Sequence, residues 1–332
     1  MSERIETRRN RTPLETVVPL STPYVIYIDP CGACNFKCYF CPCNNSDYKA
    51  KERFQVMPLE VFQHMVDGME AFPEKVRVVD LWAWGEPFLN KNLIEMIKYL
   101  RQVNVCDEIR ACTNGSFLNP EMNRKLVDSG LTMLRVSLDA MNDKDYKDIC
   151  GVEVSFDSMV ENIRDLYECS RGKMMLSIKS VDTAMRNEGD VEKFYDIFSD
   201  ISDYCFIEDI IDAFPGYDGF EKPDNKDVKF RKWNSYHDRA NYVCAKPLVQ
   251  MAVHSNGEVS ACCNDWSFQL SYGSIKEKTL PELWNSKELR KIQLMQVEKP
   301  RSEIPYCKIC PCESDDDIDD VANIIADRLR DN

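Results

Sequence analysis

Short apolar, β-branched runs alternate along the chain with longer segments whose apolar residues recur every three to four positions. The short runs predict strands over Tyr24–Ile28, Val76–Ala83, Ile109–Thr113, Met133–Leu138, Met174–Ser180 and Tyr204–Ile210. The longer segments predict helices over Pro58–Phe72, Leu93–Arg101, Glu121–Ser129, Phe156–Cys169 and Val191–Ser199. In the first of these Leu59, Phe62, Met65, Val66 and Met69 share a face, and Pro58 stands in the first turn, where its missing N–H costs nothing. Strands alternating with helices predict parallel βαβ units with right-handed crossovers. Six such units form an incomplete α/β barrel, and the gap in it admits a large substrate. Active sites of parallel barrels form at the C-terminal strand ends.

The pattern changes after the sixth strand. Phe214–Trp233 is rich in Gly, Pro and Asp and predicts a loop or linker. A hairpin is predicted from Val249–Ser255 and Glu258–Cys262, joined by Asn256-Gly257. Ile318, Val321, Ile324, Ile325 and Leu329 recur at helical spacing beyond the acidic run Asp315–Asp320. The expected organisation is an N-terminal arm over 1–22, a partial barrel over 23–212, a linker over 213–240, a small domain over 241–315 and an acidic C-terminal helix over 316–332.

Composition narrows the function classes. No apolar run is long enough to span a bilayer, and residues 1–20 lack the apolar core of a signal peptide. A cytoplasmic protein with no membrane partner is expected. The net charge of −14 argues against a dedicated nucleic-acid binder, although Arg4, Arg8, Arg9 and Arg11 form a local basic patch. Sixteen cysteines in a reducing compartment predict metal ligands rather than a disulfide framework. Cys106, Cys112, Cys150, Cys169 and Cys205 stand singly and are expected to be ordinary buried thiols.

The informative cysteines are Cys34, Cys38 and Cys41, spaced C-x3-C-x2-C with Phe40 before the last. Three thiolates can hold three corners of a [4Fe–4S] cluster and leave one iron open. A zinc knuckle lacking a partner is the alternative. Other polar residues fall at predicted strand ends: Trp84-Gly85-Glu86-Pro87 after the second, Thr113-Asn114-Gly115 after the third, Ser137-Leu138-Asp139 after the fourth, and Lys179 and Ser180 near the fifth.

This ordered set resembles the radical S-adenosylmethionine (radical SAM) superfamily. The resemblance implies that SAM occupies the open iron. Gly85, Glu86 and Pro87 match the Gly-Gly-Glu-Pro motif, in which the glutamate faces the SAM ammonium, with Trp84 replacing the first glycine. Ser137 and Asp139 match ribose contacts, Phe40 the residue beside the adenine, and Asn114 a cofactor contact. Cys31 and Cys43 match no family role.

The later cysteines resemble the SPASM and twitch extensions of the same superfamily. Cys244, Gly257-x4-Cys262 and Cys307-Lys-Ile-Cys310 match, as does Thr279-Leu-Pro-Glu-Leu-Trp284. The resemblance implies a second, fully ligated [4Fe–4S] cluster on Cys244, Cys262, Cys307 and Cys310. Cys263 is an alternative to Cys262, and zinc an alternative to iron. Only Cys312 follows, which favours a twitch-like domain with one auxiliary cluster. The implied fold is a partial (β/α)6 barrel with a small cluster-binding domain.

The implied chemistry is reductive cleavage of SAM by an electron from an external donor such as flavodoxin or ferredoxin. The 5′-deoxyadenosyl radical then abstracts hydrogen from the substrate. The main expectation is oxidation of an alcohol on a small polar molecule (a sugar, cyclitol or nucleotide sugar), with the auxiliary cluster as electron acceptor. Asp265 is the candidate general base. The few residues before the first strand leave no room for a leader-binding domain, which favours the small molecule. Maturation of a ribosomal peptide, epimerisation and a two-cluster electron carrier are the alternatives.

Overall fold

The computed structural model describes residues 12–41, 43, 55–210, 243–310 and 318–331. The expected linker, the four N-terminal arginines and Cys312 lie outside these residues.

The six predicted strands form, as β1 Val25–Ile28, β2 Val76–Leu81, β3 Cys106–Thr113, β4 Met133–Leu138, β5 Met175–Val181 and β6 Tyr204–Glu208. They pair in parallel in sequence order. Three more strands follow: β7 Gln250–Val253, β8 Glu258–Ser260 and β9 Ser271–Ser274. The sheet order is β6-β5-β4-β3-β2-β1-β7-β8-β9. β7 therefore lies parallel to β1, with Ile28 opposite Val253, and the antiparallel β7–β8–β9 meander extends the same sheet. The expected hairpin exists but belongs to the barrel's own sheet. The pairing satisfies the backbone groups on the open side of β1.

Side chains alternate across the sheet. Ile26, Val79, Leu81, Ile109, Ala111, Leu134, Val136, Leu176 and Ile178 are completely buried in the main core. Their neighbours Tyr27, Asp80, Arg110, Cys112, Arg135 and Lys179 point to the opposite face. The crossover helices cover the apolar face, among them Leu59–Gly68, Leu93–Val103, Pro120–Val127 and Phe156–Ser170. A further helix, Asp143–Cys150, was not apparent from periodicity. Asn142 caps its start by accepting from Asp145 N, and Gly151 ends it at φ +62°.

A second apolar cluster gathers Leu14, Val18, Leu248, Val297, Ile318, Ile325 and Leu329. It packs the N-terminal segment, which carries a short helix Leu14–Val17, against the predicted C-terminal helix, observed over Ala322–Asp331. Arg328 Nε donates to Val18 O at 2.6 Å, and Trp284 Nε1 donates to Leu20 O at 2.8 Å. No described helix is long and apolar enough to cross a membrane.

Candidate active site

The loop after β1 carries Cys34, Cys38 and Cys41. It is fastened to the helix Asp143–Cys150 by Lys37 N to Cys150 O (2.8 Å) and Tyr39 N to Ile149 O (3.0 Å). The loop after β2 closes on it. Glu86 N donates to Ala33 O at 2.7 Å. Gly85 adopts φ +75°, and a Cβ there would stand 2.4 Å from Cys31 O and 2.6 Å from Ala33 O. Only glycine permits that approach.

Glu86 is 2% exposed. Its Oε1 accepts from Phe88 N and Thr113 Oγ1, and its Oε2 accepts from Asn114 N at 2.7 Å. Glu86 thus pins the β2 loop to the end of β3, and Oε2 keeps one acceptor direction for a further donor. Burial pushes its carboxyl up to about 7 against those hydrogen bonds. Asn114 Nδ2 donates to Asn35 Oδ1 at 2.9 Å and lies 3.9 Å from Cys34 Sγ. Pro87 is buried in the turn that follows Glu86.

At the end of β4, Asp139 Oδ2 accepts from Cys38 Sγ at 3.6 Å, and its Oδ1 lies 3.5 Å from Ser137 Oγ. Burial raises the Asp139 pKa, and the nearby Lys179 ammonium opposes it. Cys38, Asp139 and Cys150 lie within 4.8 Å of one another. The approach of Cys150 was hidden in the sequence because it depends on the unrecognised helix. Phe40 packs with Val181, Ala184 and Ile210 beyond β5 and β6. Cys31 is buried, and Cys43 hydrogen-bonds the Cys41 thiol. The loops therefore bring Cys34, Cys38, Cys41, Gly85, Glu86, Pro87, Asn114, Ser137 and Asp139 to one end of the parallel sheet.

A second constellation lies beyond β7. Cys244, Cys262, Cys307 and Cys310 line one cavity with Lys246, Asn264, Gln296 and Arg301. Gln296 Nε2 donates to Cys307 Sγ at 3.0 Å. Burial pushes the Cys307 thiol up to about 12, and ligation of a metal would displace its proton. Four convergent thiols, with two cationic side chains beside them, fit a fully ligated iron–sulfur cluster. Cys263 bonds its neighbour Cys262 and does not line the cavity. The three-cysteine loop with its glycine cradle fits a cluster that leaves one position open.

Asp265 is completely buried. Its carboxylate accepts from Gln269 N, Leu270 N and Ser260 Oγ, so its surroundings are those of a loop anchor rather than a free base. The chain of contacts continues through Ser260 Oγ to His254 Nε2 (3.1 Å) and from His254 Nδ1 to Asp29 Oδ2 (3.3 Å). Asp29 Oδ1 accepts from Ala83 N and Trp84 N. A buried polar relay therefore joins the Cys262 loop to the Gly85-Glu86 loop. Sequence reasoning missed Asp29 and His254, because residues so far apart in the chain carry no local pattern.

The family model described as the radical SAM superfamily matches residues 28–201, and one described as an iron–sulfur cluster-binding domain (SPASM) matches 244–311. A GTP 3′,8-cyclase of Alkaliphilus metalliredigens is 28% identical over 178 residues, 53% of this chain and 52% of its own length. The chain thus spans about half the length of that curated relative. The structure of BtrN in complex with AdoMet and 2-DOIA is similar with TM-score 0.54 and 17% identity, over 86% of this chain and 91% of that one. Streptococcus suis SuiB bound to precursor peptide SuiA is similar with TM-score 0.62 and 17% identity, over 83% of this chain and 67% of that one.

Proposed function

The chain belongs to the radical SAM superfamily, with a C-terminal SPASM domain, and on that premise we propose that it modifies a peptide by hydrogen-atom abstraction. A [4Fe–4S] cluster with SAM supplies a 5′-deoxyadenosyl radical when bound. In this reading Cys34, Cys38 and Cys41 hold that cluster. Gly85 lets the β2 loop lie against it, and Glu86 Oε2 offers its remaining acceptor direction to the SAM ammonium. Ser137 and Asp139 serve as acceptors for the ribose in this reading. Cys244, Cys262, Cys307 and Cys310 hold one auxiliary cluster, which fits net oxidation of the substrate. The observation that carries this reading is the convergence of those four thiols on one cavity, reached from strands β7 and β8 of the sheet whose β1 leads into the three-cysteine loop.

Two observations support a peptide as substrate. SuiB, whose fold this chain shares, is solved with a precursor peptide. The helix-free face of the sheet also presents Tyr27, Trp82, Arg135, Tyr204 and Phe206, the residue types that dominate peptide and protein contacts. The expected preference for a small molecule rested on the shortness of the segment before β1, which does not bear on a peptide delivered by another protein. A small polar substrate is the second reading, favoured by the likeness to BtrN over most of both chains.

The test is anaerobic reconstitution followed by incubation with SAM, dithionite and two panels, synthetic peptides and aminocyclitols. Loss of a hydrogen pair from a peptide, matched by 5′-deoxyadenosine, is the expected result. Oxidation confined to the cyclitols would overturn the peptide reading.

A further inference from the structure

Most charges on the helix-free face of the sheet are already paired. Arg110 binds Glu108 at 2.6 Å, and Lys179 binds Glu208 at 2.5 Å. Asp80 and Arg135 differ. Asp80 is 4% exposed, and its Oδ1 has no hydrogen-bond partner among the described residues. Arg135 Nε is buried and equally without one. Neither side chain forms an ion pair among the described residues.

Their placement is set by register. Asp80 lies beside Tyr27 and Arg110, and Arg135 beside Cys112 and Ser177, with the flanking positions on every strand buried in the core behind. The Arg135 guanidinium lies between the Trp82 ring at 5.9 Å and the Phe206 ring at 5.7 Å. The Trp82 ring meets Tyr27 edge-on at 6.3 Å. Ser177, 2% exposed, adds a third unpartnered polar atom to this face.

A buried carboxylate and a buried guanidinium nitrogen without partners cost several kcal/mol unless a ligand satisfies them. Arg110, Arg135, Glu108 and Cys263 are the charged and titratable groups around Asp80, and none of them bonds it. A group that donates to the ionised Asp80, the form held above about pH 7, and accepts at Arg135 satisfies both. An amide does both from one planar group, and the aromatic walls suit its flat faces.

We propose that Asp80 and Arg135 are the substrate grip, and that they hold one amide group of the peptide, its N–H on the Asp80 carboxylate and its C=O on the Arg135 guanidinium. The proposal rests on the peptide reading above and adds the residues that hold the peptide. Both residues stand on strands of the rigid sheet, so the grip is preorganised.

The experiment uses the reconstituted full chain with SAM. A synthetic random twelve-residue peptide library is selected on it, and each amide of an enriched peptide is N-methylated in turn. Asp80→Ala should weaken binding roughly tenfold to a hundredfold, the worth of a hydrogen bond to a charged group. One N-methylation should weaken binding to wild type similarly and have no further effect on the Asp80→Ala protein. Arg135→Gln should weaken the same peptide, and circular dichroism and iron content check that both variants are folded and loaded. Should Asp80→Ala fail to fold, Asp80→Val, close in volume and without an acceptor, takes its place, and the same N-methylation should again have no further effect. Enriched peptides with no amide coupled to residue 80 would overturn the grip and leave the peptide reading intact. Failure to enrich any peptide would overturn both.

Discussion

Asp80 also makes the sheet's stability depend on pH. Burial pushes its carboxyl from the ordinary 3.8 up to about 7. The folded chain therefore holds a proton that the unfolded chain has released between those values, and stability falls as pH rises through that window. From pH 5 to pH 8 this group alone should cost on the order of 2 kcal/mol. Asp80→Asn should flatten the profile by that amount, as read from urea melts of the reconstituted protein at the two pH values. Glu86, also pushed up to about 7, adds a slope of the same sign that this variant leaves in place. Gly85 sets a different limit. A methyl group there meets two carbonyl oxygens, and the positive φ is unfavourable to any side chain. Gly85→Ala should displace the β2 loop and weaken SAM binding about tenfold or more, since such strain costs roughly 1–3 kcal/mol. Equilibrium binding of SAM checks this. The Gly-Glu-Pro tripeptide was legible in the sequence. That Glu86 also braces Thr113 and Asn114 was not, because those donors arrive from another strand.

The β7–β8 unit and its following loop are pinned by the Asp29–His254–Ser260–Asp265 contacts. His254→Ala would leave the Asp29 and Ser260 side chains each short of a partner in the core, at about 1–3 kcal/mol apiece. The variant should melt lower and lose iron faster, and His254→Asn should recover part of both. Asp265→Ala should act more locally. It frees Gln269 N and Leu270 N, so hydrogen exchange should rise over 262–270 while the Cys34 loop keeps its protection. Six strands were legible to within a few residues because their apolar runs are β-branched and bounded by turns. Strand β9, Ser271–Ser274, was not: its sequence Ser-Tyr-Gly-Ser has no alternation, and only pairing with β8 makes it a strand. The placement of β7 against β1 was equally hidden, since hairpin chemistry fixes the partner on one side only.

In the proposed reading the two groups of thiols have separable tasks. Changing Cys34, Cys38 and Cys41 to Ala should lower bound iron by about half, from roughly eight atoms per chain, since each cluster takes four. It should also abolish formation of 5′-deoxyadenosine. Changing Cys307 and Cys310 to Ala should leave 5′-deoxyadenosine formation in place and lower the ratio of oxidised product to it. A folded variant that keeps the wild-type ratio would make the second centre purely structural. Both centres stay registered to each other because one sheet runs beneath them and the Asp29–His254–Ser260–Asp265 relay fastens their loops.

That shared sheet also sets a timetable for synthesis. β1 leaves the ribosome roughly two hundred residues ahead of its neighbour β7. At ~5–20 residues per second, one side of β1 stays bare for on the order of ten to forty seconds. During that interval the nascent barrel offers an apolar strand edge to any passing chain. Chains stopped before residue 243 should therefore bind ribosome-associated chaperones or aggregate, whereas chains released after β9 should not. Slowing translation over 211–249 with rare codons should lower the soluble yield without changing a single side chain.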